Sequence, residues 1–252
     1  MLMKIAIITG GSRGLGKDMA MNIAAKGNDV LLTYNSKKEE AEAVVASIEK
    51  RGRKAVALHL DVSDTKSFAA FGETVKETLK RTWNRDTFDF LVNNAGFGIH
   101  APFTETTEEQ FDQLVNVHFK GTFFLTQTLL PLMVDGGRII NISSGLARFS
   151  HPGNSVYGAV KGAIEVLTRY MAVELGQRGI VVNTVAPGAI ATDFGGGIVR
   201  DNKEVNQFVA SQIALGRVGQ PEDIGGAVAA LLSEDTRWVN GQRIEVSGGM
   251  NL

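Results

Sequence analysis

Tyr157 and Lys161 stand four residues apart within Ser155–Leu175, a segment that reads as helix, so both side chains project from one face. A free tyrosine titrates near 10, and bringing it to about 7 takes roughly 4 kcal/mol of extra stabilisation for the phenolate. One ammonium at about 4 Å supplies a similar amount at an effective dielectric near 20. The pair therefore reads as a proton donor tuned by a cation. Ser144 lies upstream, at the end of the expected strand Arg138–Ser143, where its hydroxyl can polarise a carbonyl.

A second group of residues reads as an anion site. The run Thr9-Gly10-Gly11-Ser12-Arg13-Gly14-Leu15-Gly16 follows one apolar strand and enters a helical stretch, Lys17–Ala25. Glycines there let backbone N–H groups and a helix dipole face a pyrophosphate without Cβ interference. The spacing Gly10-x3-Gly14-x-Gly16 departs from the six-residue dinucleotide fingerprint. The next strand ends Thr33-Tyr34-Asn35-Ser36-Lys37, where an acid would serve the ribose hydroxyls of NAD. That acid is missing. Arg13, with the polar groups of Asn35 and Ser36, suits a 2′-phosphate instead.

These residues need a scaffold, and the hydrophobic pattern supplies one. Short apolar runs at Ile5–Ile8, Val30–Leu32, Ala55–Leu58, Phe90–Val92, Ile139–Ile142 and Ile180–Val182 alternate with helical patterns. Ala41, Val44, Val45 and Ile48, for example, fall at i, i+3, i+4, i+7. Strands buried on both faces predict a parallel sheet covered by helices, closed at one edge by Ile244-Glu245-Val246. The expectation is one α/β domain over residues 1–252: a Rossmann-type, doubly wound parallel sheet of about seven strands flanked by helices. The long stretch after Pro187, about 189–213, contains Gly195-Gly196-Gly197 and reads as a hinged lid. Lys80–Thr87 reads as a surface insertion.

The ordered set of motifs resembles the short-chain dehydrogenase/reductase family in its form of about 250 residues. It comprises the glycine turn at 9–16, Asp61-Val62, Asn93-Asn94-Ala95-Gly96, Asn116, Ser144, Tyr157, Lys161 and Pro187-Gly188 with Thr192. The resemblance runs from residue 4 to the closing Gly241–Gly249. It implies a catalytic tetrad of Asn116, Ser144, Tyr157 and Lys161, with Asn116 placing a water that relays protons through Lys161. It implies an NADP(H) site of Gly10, Ser12, Arg13, Gly14, Leu15, Gly16, Asn35, Ser36, Asp61, Val62, Asn93, Ala95, Gly96, Tyr157, Lys161, Pro187, Gly188, Ile190 and Thr192. Within that site Asp61 and Val62 would contact the adenine, Asn93, Ala95 and Gly96 would support the adenine side and central strand, and Ile190 and Thr192 would hold the nicotinamide end. The family also implies a tetramer, and the apolar circumference around Gly158, Ala159, Val160, Ala163, Ile164, Val166 and Leu167 fits a subunit contact.

The expected activity is NADPH-dependent reduction of a ketone or 3-oxoacyl-type group. Leu146, Arg148, Phe149, His151 and Phe194 are expected to touch the substrate, with Phe97 and Ile190 beside them. That mostly apolar set suits an aryl or other hydrophobic ketone. Two other readings compete: an oxidative polyol or hydroxysteroid dehydrogenase, which the missing acid opposes, and an NADP-sensing protein, which has no need of a proton donor.

Composition narrows the field further. With 26 Lys and Arg against 27 Asp and Glu, the chain lacks the basic footprint of a nucleic-acid binder. Cysteine is absent, so thiolate chemistry and disulfides are excluded and a cytoplasmic home is allowed. No stretch has the length of a membrane span or a signal peptide. His59, His100, His118 and His151 lack metal-ligand spacing and read as surface or packing residues, His100 and His151 being within reach of substrate. Asn141-Ile142-Ser143 matches a glycosylation acceptor but falls in a predicted buried strand.

Overall fold

The computed structural model describes residues 3–252; Met1 and Leu2, at the start of the expected domain, lie outside the described residues. Seven strands form one sheet: β1 (Ile5–Ile8), β2 (Asp29–Tyr34), β3 (Ala55–His59), β4 (Phe88–Asn93), β5 (Met133–Ile142), β6 (Val181–Pro187) and β7 (Arg243–Val246). Their order is β3-β2-β1-β4-β5-β6-β7, and every neighbouring pair is parallel. The direction of winding reverses between β1 and β4. Their carboxyl ends therefore splay into a crevice, the place where an open α/β sheet receives a ligand.

Side-chain alternation explains why both faces need covering. Ala6, Ile8, Val30, Leu32, Val92, Ile140 and Val185 point into one core, while Ile5, Ile7, Leu31, Leu91, Ile139 and Val182 point into the other. The first core is closed by α1 (Gly14–Ala25), α2 (Lys38–Glu49) and, from the far end of the chain, α9 (Pro221–Leu231), through Met19, Ile23, Val44, Ile48, Ile224 and Val228. The second is closed by α3 (Phe68–Trp83), α5 (Thr122–Leu129) and α6 (Ser155–Glu174) through Phe68, Phe71, Val75, Leu79, Leu125, Leu129 and Ala172.

α4 (Glu108–Val115) opens on a reciprocal Thr107–Gln110 capping box. It runs into α5 through one π-helical turn, Asn116–Gly121. The lid-like stretch is not structureless: a 3-10 turn at Phe194–Gly197 leads into the short helices α7 (Ile198–Asp201) and α8 (Lys203–Ser211). Gly195, Gly196 and Gly197 all take left-handed backbone, which side chains oppose, so the triplet bends the chain.

Lys80–Thr87 is not a surface insertion. Its first half is the last turn of α3, ended by Asn84 in the left-handed region. Trp83 then donates its indole N–H to Asp29, 2.8 Å away, and Arg85 pairs with Asp89 at 2.8 Å. A charged, polar composition hid an amphipathic helix end whose one aromatic residue is half-buried against the sheet.

Candidate active site

The crevice is assembled by backbone and by short polar side chains. Thr9, at the end of β1, accepts hydrogen bonds at Oγ1 from the N–H groups of Asn94 and Ala95, both at 2.9 Å. Asn94 in return donates its amide to the carbonyls of Thr9 (2.9 Å) and Gly10 (3.2 Å). The two loops at the winding reversal are thus sewn together. Gly10 has φ +66°, and a Cβ there would stand 2.9 Å from the Ala95 backbone; at Gly16 a Cβ would stand 2.1 Å from the Gly10 carbonyl oxygen. Only glycine fits this turn.

Arg13 occupies the N-cap position of α1 without a side-chain cap, leaving first-turn N–H groups of a twelve-residue helix to serve an anion. Gly14 (φ +53°) faces Thr192 across the crevice. Ser12 is buried, Leu15 packs on the first core, and Asn35 and Ser36 lie exposed beyond β2. The Arg13 guanidinium leans towards Asp193 at the foot of the lid, 3.7 Å away. Both partners are about half exposed, so this pair holds little energy and leaves Arg13 available. A glycine cradle, an open helix N-terminus and a weakly paired cation fit a phosphate-bearing dinucleotide.

The expected cofactor residues also do structural work, and for Asn93 that work replaces the expected role. Asn93 is 7% exposed and donates to Thr126 (3.0 Å) and Asn141 (2.8 Å); Asn141 continues to Thr168, which also meets Thr184. This buried chain of amides and hydroxyls staples β4, β5 and β6 to α5 and α6. The adenine-side role expected for Asn93 reduces to strand support. It also places Asn141 wholly inside the protein, away from any glycosylation machinery. Asp61 accepts from the N–H and hydroxyl of Ser63 at 2.8 and 2.7 Å, while Val62 packs on the second core and its carbonyl crowds Gly121. Pro187 ends β6, Gly188 lies against Ser247, and Ile190 bridges to Gly219. Ala95 and Gly96 follow β4 at the crevice mouth, Gly96 directly against a histidine ring.

Tyr157 and Lys161 lie on α6, which packs against β5 and β6, and are only 8% and 5% exposed. Burial pushes the Tyr157 phenol above its ordinary value, opposed by the neighbouring Ser144 hydroxyl. The expected lowering by Lys161 is therefore not what sets its acidity here. Burial likewise drives Lys161 down to about 7. Its ammonium donates to the Ile142 carbonyl at 2.7 Å and lies 5.5 Å from the Tyr157 ring centre. Low dielectric disfavours charge on either group, so the phenol is kept protonated and the amine is poised near neutrality. Ser144, after β5, accepts from the Leu146 N–H at 3.2 Å.

The structure brings His118, rather than Asn116, to Tyr157. The two residues are two positions apart on a helical segment and face roughly opposite sides of it. His118 is 2% exposed and meets Tyr157 edge-on at 5.3 Å, whereas the Asn116 side chain makes no hydrogen bond to any described residue. His118 Nε2 lies 2.6 Å from the Phe97 carbonyl, and Nδ1 is buried without a partner among the described residues. Burial, and then the charge of Lys161, lowers its pKa to about 3. Sequence spacing alone gave no sign of this; the signal lay in the π-helical turn, which re-aims one side chain and recurs at functional sites.

Aromatic walls surround the phenol. Phe194 of the lid lies 5.6 Å from Tyr157 and covers Gly98, and Phe97 lies 5.8 Å from His118. Phe149 packs on Gly145, and Leu146 sits half-buried beside Gly158. A small pocket behind Tyr157 is lined by Ile99, Leu114, Thr106 and Gln110. One expected substrate contact is engaged elsewhere. Arg148 forms a bidentate pair with Glu245 at 2.8 Å and also donates to the Met250 and Asn251 carbonyls, so it anchors the C-terminal segment. His151 is exposed, next to Pro152 and Asn154. His100 packs on Gly153.

Comparison with known proteins agrees with this geometry. Residues 10–251 match the family model described as "Enoyl-(Acyl carrier protein) reductase". The hydroxynaphthalene reductase-like protein Arp2 of Metarhizium brunneum is 35% identical, the match covering 98% of this chain and 94% of that protein. Among solved structures, the promiscuous reductase LugOII, which catalyses keto-reduction at C1 in lugdunomycin biosynthesis, has a TM-score of 0.94 at 37% identity over 99% of this chain and 98% of that one. The angucycline C-6 ketoreductase LanV with bound NADP has a TM-score of 0.93 at 37% identity, over 98% and 95%.

Proposed function

The chain belongs to the short-chain dehydrogenase/reductase family, and from that premise we propose that it is a ketoreductase for hydrophobic, aryl-type ketones with Tyr157 as proton donor. It is an NADP-dependent oxidoreductase. The observation that carries the finer reading is the buried phenol, set between Ser144 and Lys161 and flanked by Phe194 and His118, with Phe97 packed on His118 in turn. The named ketone reductions of LugOII and LanV, and the hydroxynaphthalene reductase-like relative, support the same substrate class.

When bound, the dinucleotide supplies the hydride. The turn Gly10–Gly16 and the start of α1 would hold its pyrophosphate, and Arg13, Asn35 and Ser36 would take the 2′-phosphate. Ala95, Gly96, Asp61 and Val62 would line the adenosine side; Pro187, Gly188, Ile190 and Thr192 would border the nicotinamide end. Ser144 and Tyr157 hold the carbonyl oxygen, and Tyr157 gives it the proton as negative charge develops there. Burial serves this direction, since only the protonated phenol can donate. Lys161, with a pKa of about 7, can return a proton at neutral pH.

Among the described residues no helix is long and apolar enough to cross a membrane, and no cluster of His, Asp or Glu could hold a metal. We place the enzyme in the cytoplasm as a homotetramer. Exposed Val166, Tyr170 and Val173 on α6, and exposed Phe103, Phe111, Phe123 and Phe124 around α4 and α5, offer two apolar faces for it. Within the helix face expected to be the contact, Val160 and Ile164 turn inward to the site and core, leaving Val166 outward.

The test is NADPH oxidation with a panel of aryl ketones, enones and polyols. Ketones should be consumed and Tyr157→Phe should leave under about one per cent of turnover, because a lost general acid costs 10²-fold or more. NADPH affinity of that variant should stay near wild type. Turnover of enones alone, oxidation of polyols alone, or an active Tyr157→Phe would overturn the reading.

A further inference from the structure

Reduction needs two hydroxyls on one carbonyl oxygen, yet they come from different elements: Tyr157 from α6 and Ser144 from the loop after β5. The helix must therefore be fixed against the strand end. Ser143, the residue before Ser144, is 2% exposed. Its hydroxyl lies 2.7 Å from Glu165 Oε1 and 3.3 Å from the Lys161 carbonyl, both on α6. It has one proton, and the short contact to a carboxylate is the stronger, so Ser143 donates to Glu165. Tyr157, Lys161 and Glu165 follow at four-residue steps and share one face of α6. Along that face Lys161 holds the Ile142 carbonyl and Glu165 the Ser143 hydroxyl, while Ser144 lies beside the phenol.

Glu165 is itself braced. Its side chain is 14% exposed, and the same Oε1 accepts from Arg243 Nε at 2.7 Å. Arg243 gives a second N–H to Glu245 at 2.8 Å and points a third at the Ser144 carbonyl, 3.4 Å away. Glu245 also takes both prongs of Arg148, at the far end of the Ser144 loop, at 2.8 Å. Two arginines and two carboxylates thus hold the segment 143–148 at both ends, opposite charges alternating.

We propose that Glu165 is a positioning residue for Ser144: gripping Ser143 from α6, and braced by Arg243 and Glu245 of β7, it sets the Ser144 hydroxyl against the oxygen that Tyr157 protonates. The inference rests on the ketoreductase reading. Glu165 acts through Ser143 and exchanges no proton in the reaction. Both of its donors meet one oxygen, so a neutral amide carbonyl at the same place can serve them equally.

The experiment measures single-turnover and steady-state NADPH oxidation with an aryl ketone for wild type, Glu165→Leu, Glu165→Gln and Ser143→Ala, each with and without Ser144→Ala. Glu165→Leu leaves Arg243 its bond to Glu245 and leaves Ser143 the Lys161 carbonyl, so the chain should still fold. Ser143→Ala removes the other partner without touching the charged groups and carries the test by itself if the leucine variant does not fold. In both, kcat should fall about 10- to 100-fold with KM and NADPH affinity near wild type, since a displacement of about 1 Å can cost about 10²-fold. Glu165→Gln should keep kcat within about twofold. Ser144→Ala by itself removes a donor to the carbonyl oxygen and should cost about 10²- to 10³-fold. In that background neither Glu165→Leu nor Ser143→Ala should cost more than about a further twofold, because the group they position is gone. A residue that only stabilised the fold would leave kcat alone below the melting temperature, or would cost the same with and without Ser144. An undiminished kcat in Ser143→Ala, a full further loss in the Ser144→Ala background, or a glutamine variant that behaves like leucine overturns the proposal. With wild type inactive on ketones the ketoreductase reading fails and the proposal falls with it; with wild type active and these variants unchanged, Glu165 alone loses its role.

Discussion

Gly16→Ala is the sharpest test of how the turn at the sheet's winding reversal is held. The added methyl has no rotamer with which to escape. It would stand 2.1 Å from the Gly10 carbonyl oxygen and 2.6 Å from the Asn94 amide nitrogen, the group that ties Thr9 and Gly10 to the end of β4. Overpacking of this kind costs about 1–3 kcal/mol. Pulling Asn94 off its two carbonyls costs roughly 0.5–1.5 kcal/mol per bond. Against this, alanine gains up to about 1 kcal/mol inside a helix. The net expectation is a loss of roughly 1–5 kcal/mol, or about 2–20 °C in melting temperature for a chain of this size. Because α1 and the β4 loop shift together, NADPH affinity should fall as well. Gly226→Ala is the control: it lies within α9, and an added methyl there meets nothing within 4 Å, so stability should stay level or rise slightly. Thermal melts and NADPH fluorescence titration read both effects. A Gly16→Ala protein that melted and bound as wild type would refute the argument that the turn has no space for a side chain.

Three more outcomes can be checked. Arg13→Ala should weaken NADPH about 10- to 100-fold and leave NADH nearly unchanged, since a charge-assisted bond is worth roughly 1.5–3 kcal/mol; equal weakening of both would mean that Arg13 holds the turn instead. Glu245 is depressed to about 2, chiefly by Arg148 and also by Arg243 and Ser247. A carboxyl lowered in the folded state stabilises above its ordinary value of 4.5 and loses that contribution as pH falls towards 2. Allowing for partial exposure, Glu245→Gln should cost about 1–3 kcal/mol at pH 7 and flatten the stability profile between pH 4.5 and 2, as denaturant melts would read; an unchanged profile would remove Glu245 from the account. Light scattering at micromolar concentration should give a tetramer mass, and Val173→Glu with Tyr170→Glu should reduce it; a monomeric wild type would refute the assembly.

Apolar runs and their alternation were legible in the sequence because period-two burial on both faces is written into each strand. All seven strands, the helix carrying Tyr157 and Lys161, and the glycine turn after β1 could be read there. Lys80–Thr87 misled because an amphipathic helix end rich in charge looks like a loop until Trp83 finds Asp29. Residue type also could not tell which asparagines serve a ligand. Asn93 and Asn141 belong to a buried network that exists only once β4, β5 and α6 are packed together. Arg148 looked like a substrate contact until the last strand and C-terminal segment came back to claim its guanidinium. Asn116 and His118 show the division most clearly. Their two-residue separation is sequence, but which one faces Tyr157 is decided by a single π-helical turn packed under Gly96. The phenol's acidity followed the same rule: spacing placed a lysine beside it, but burial, a property of the whole fold, set the direction in which both groups titrate.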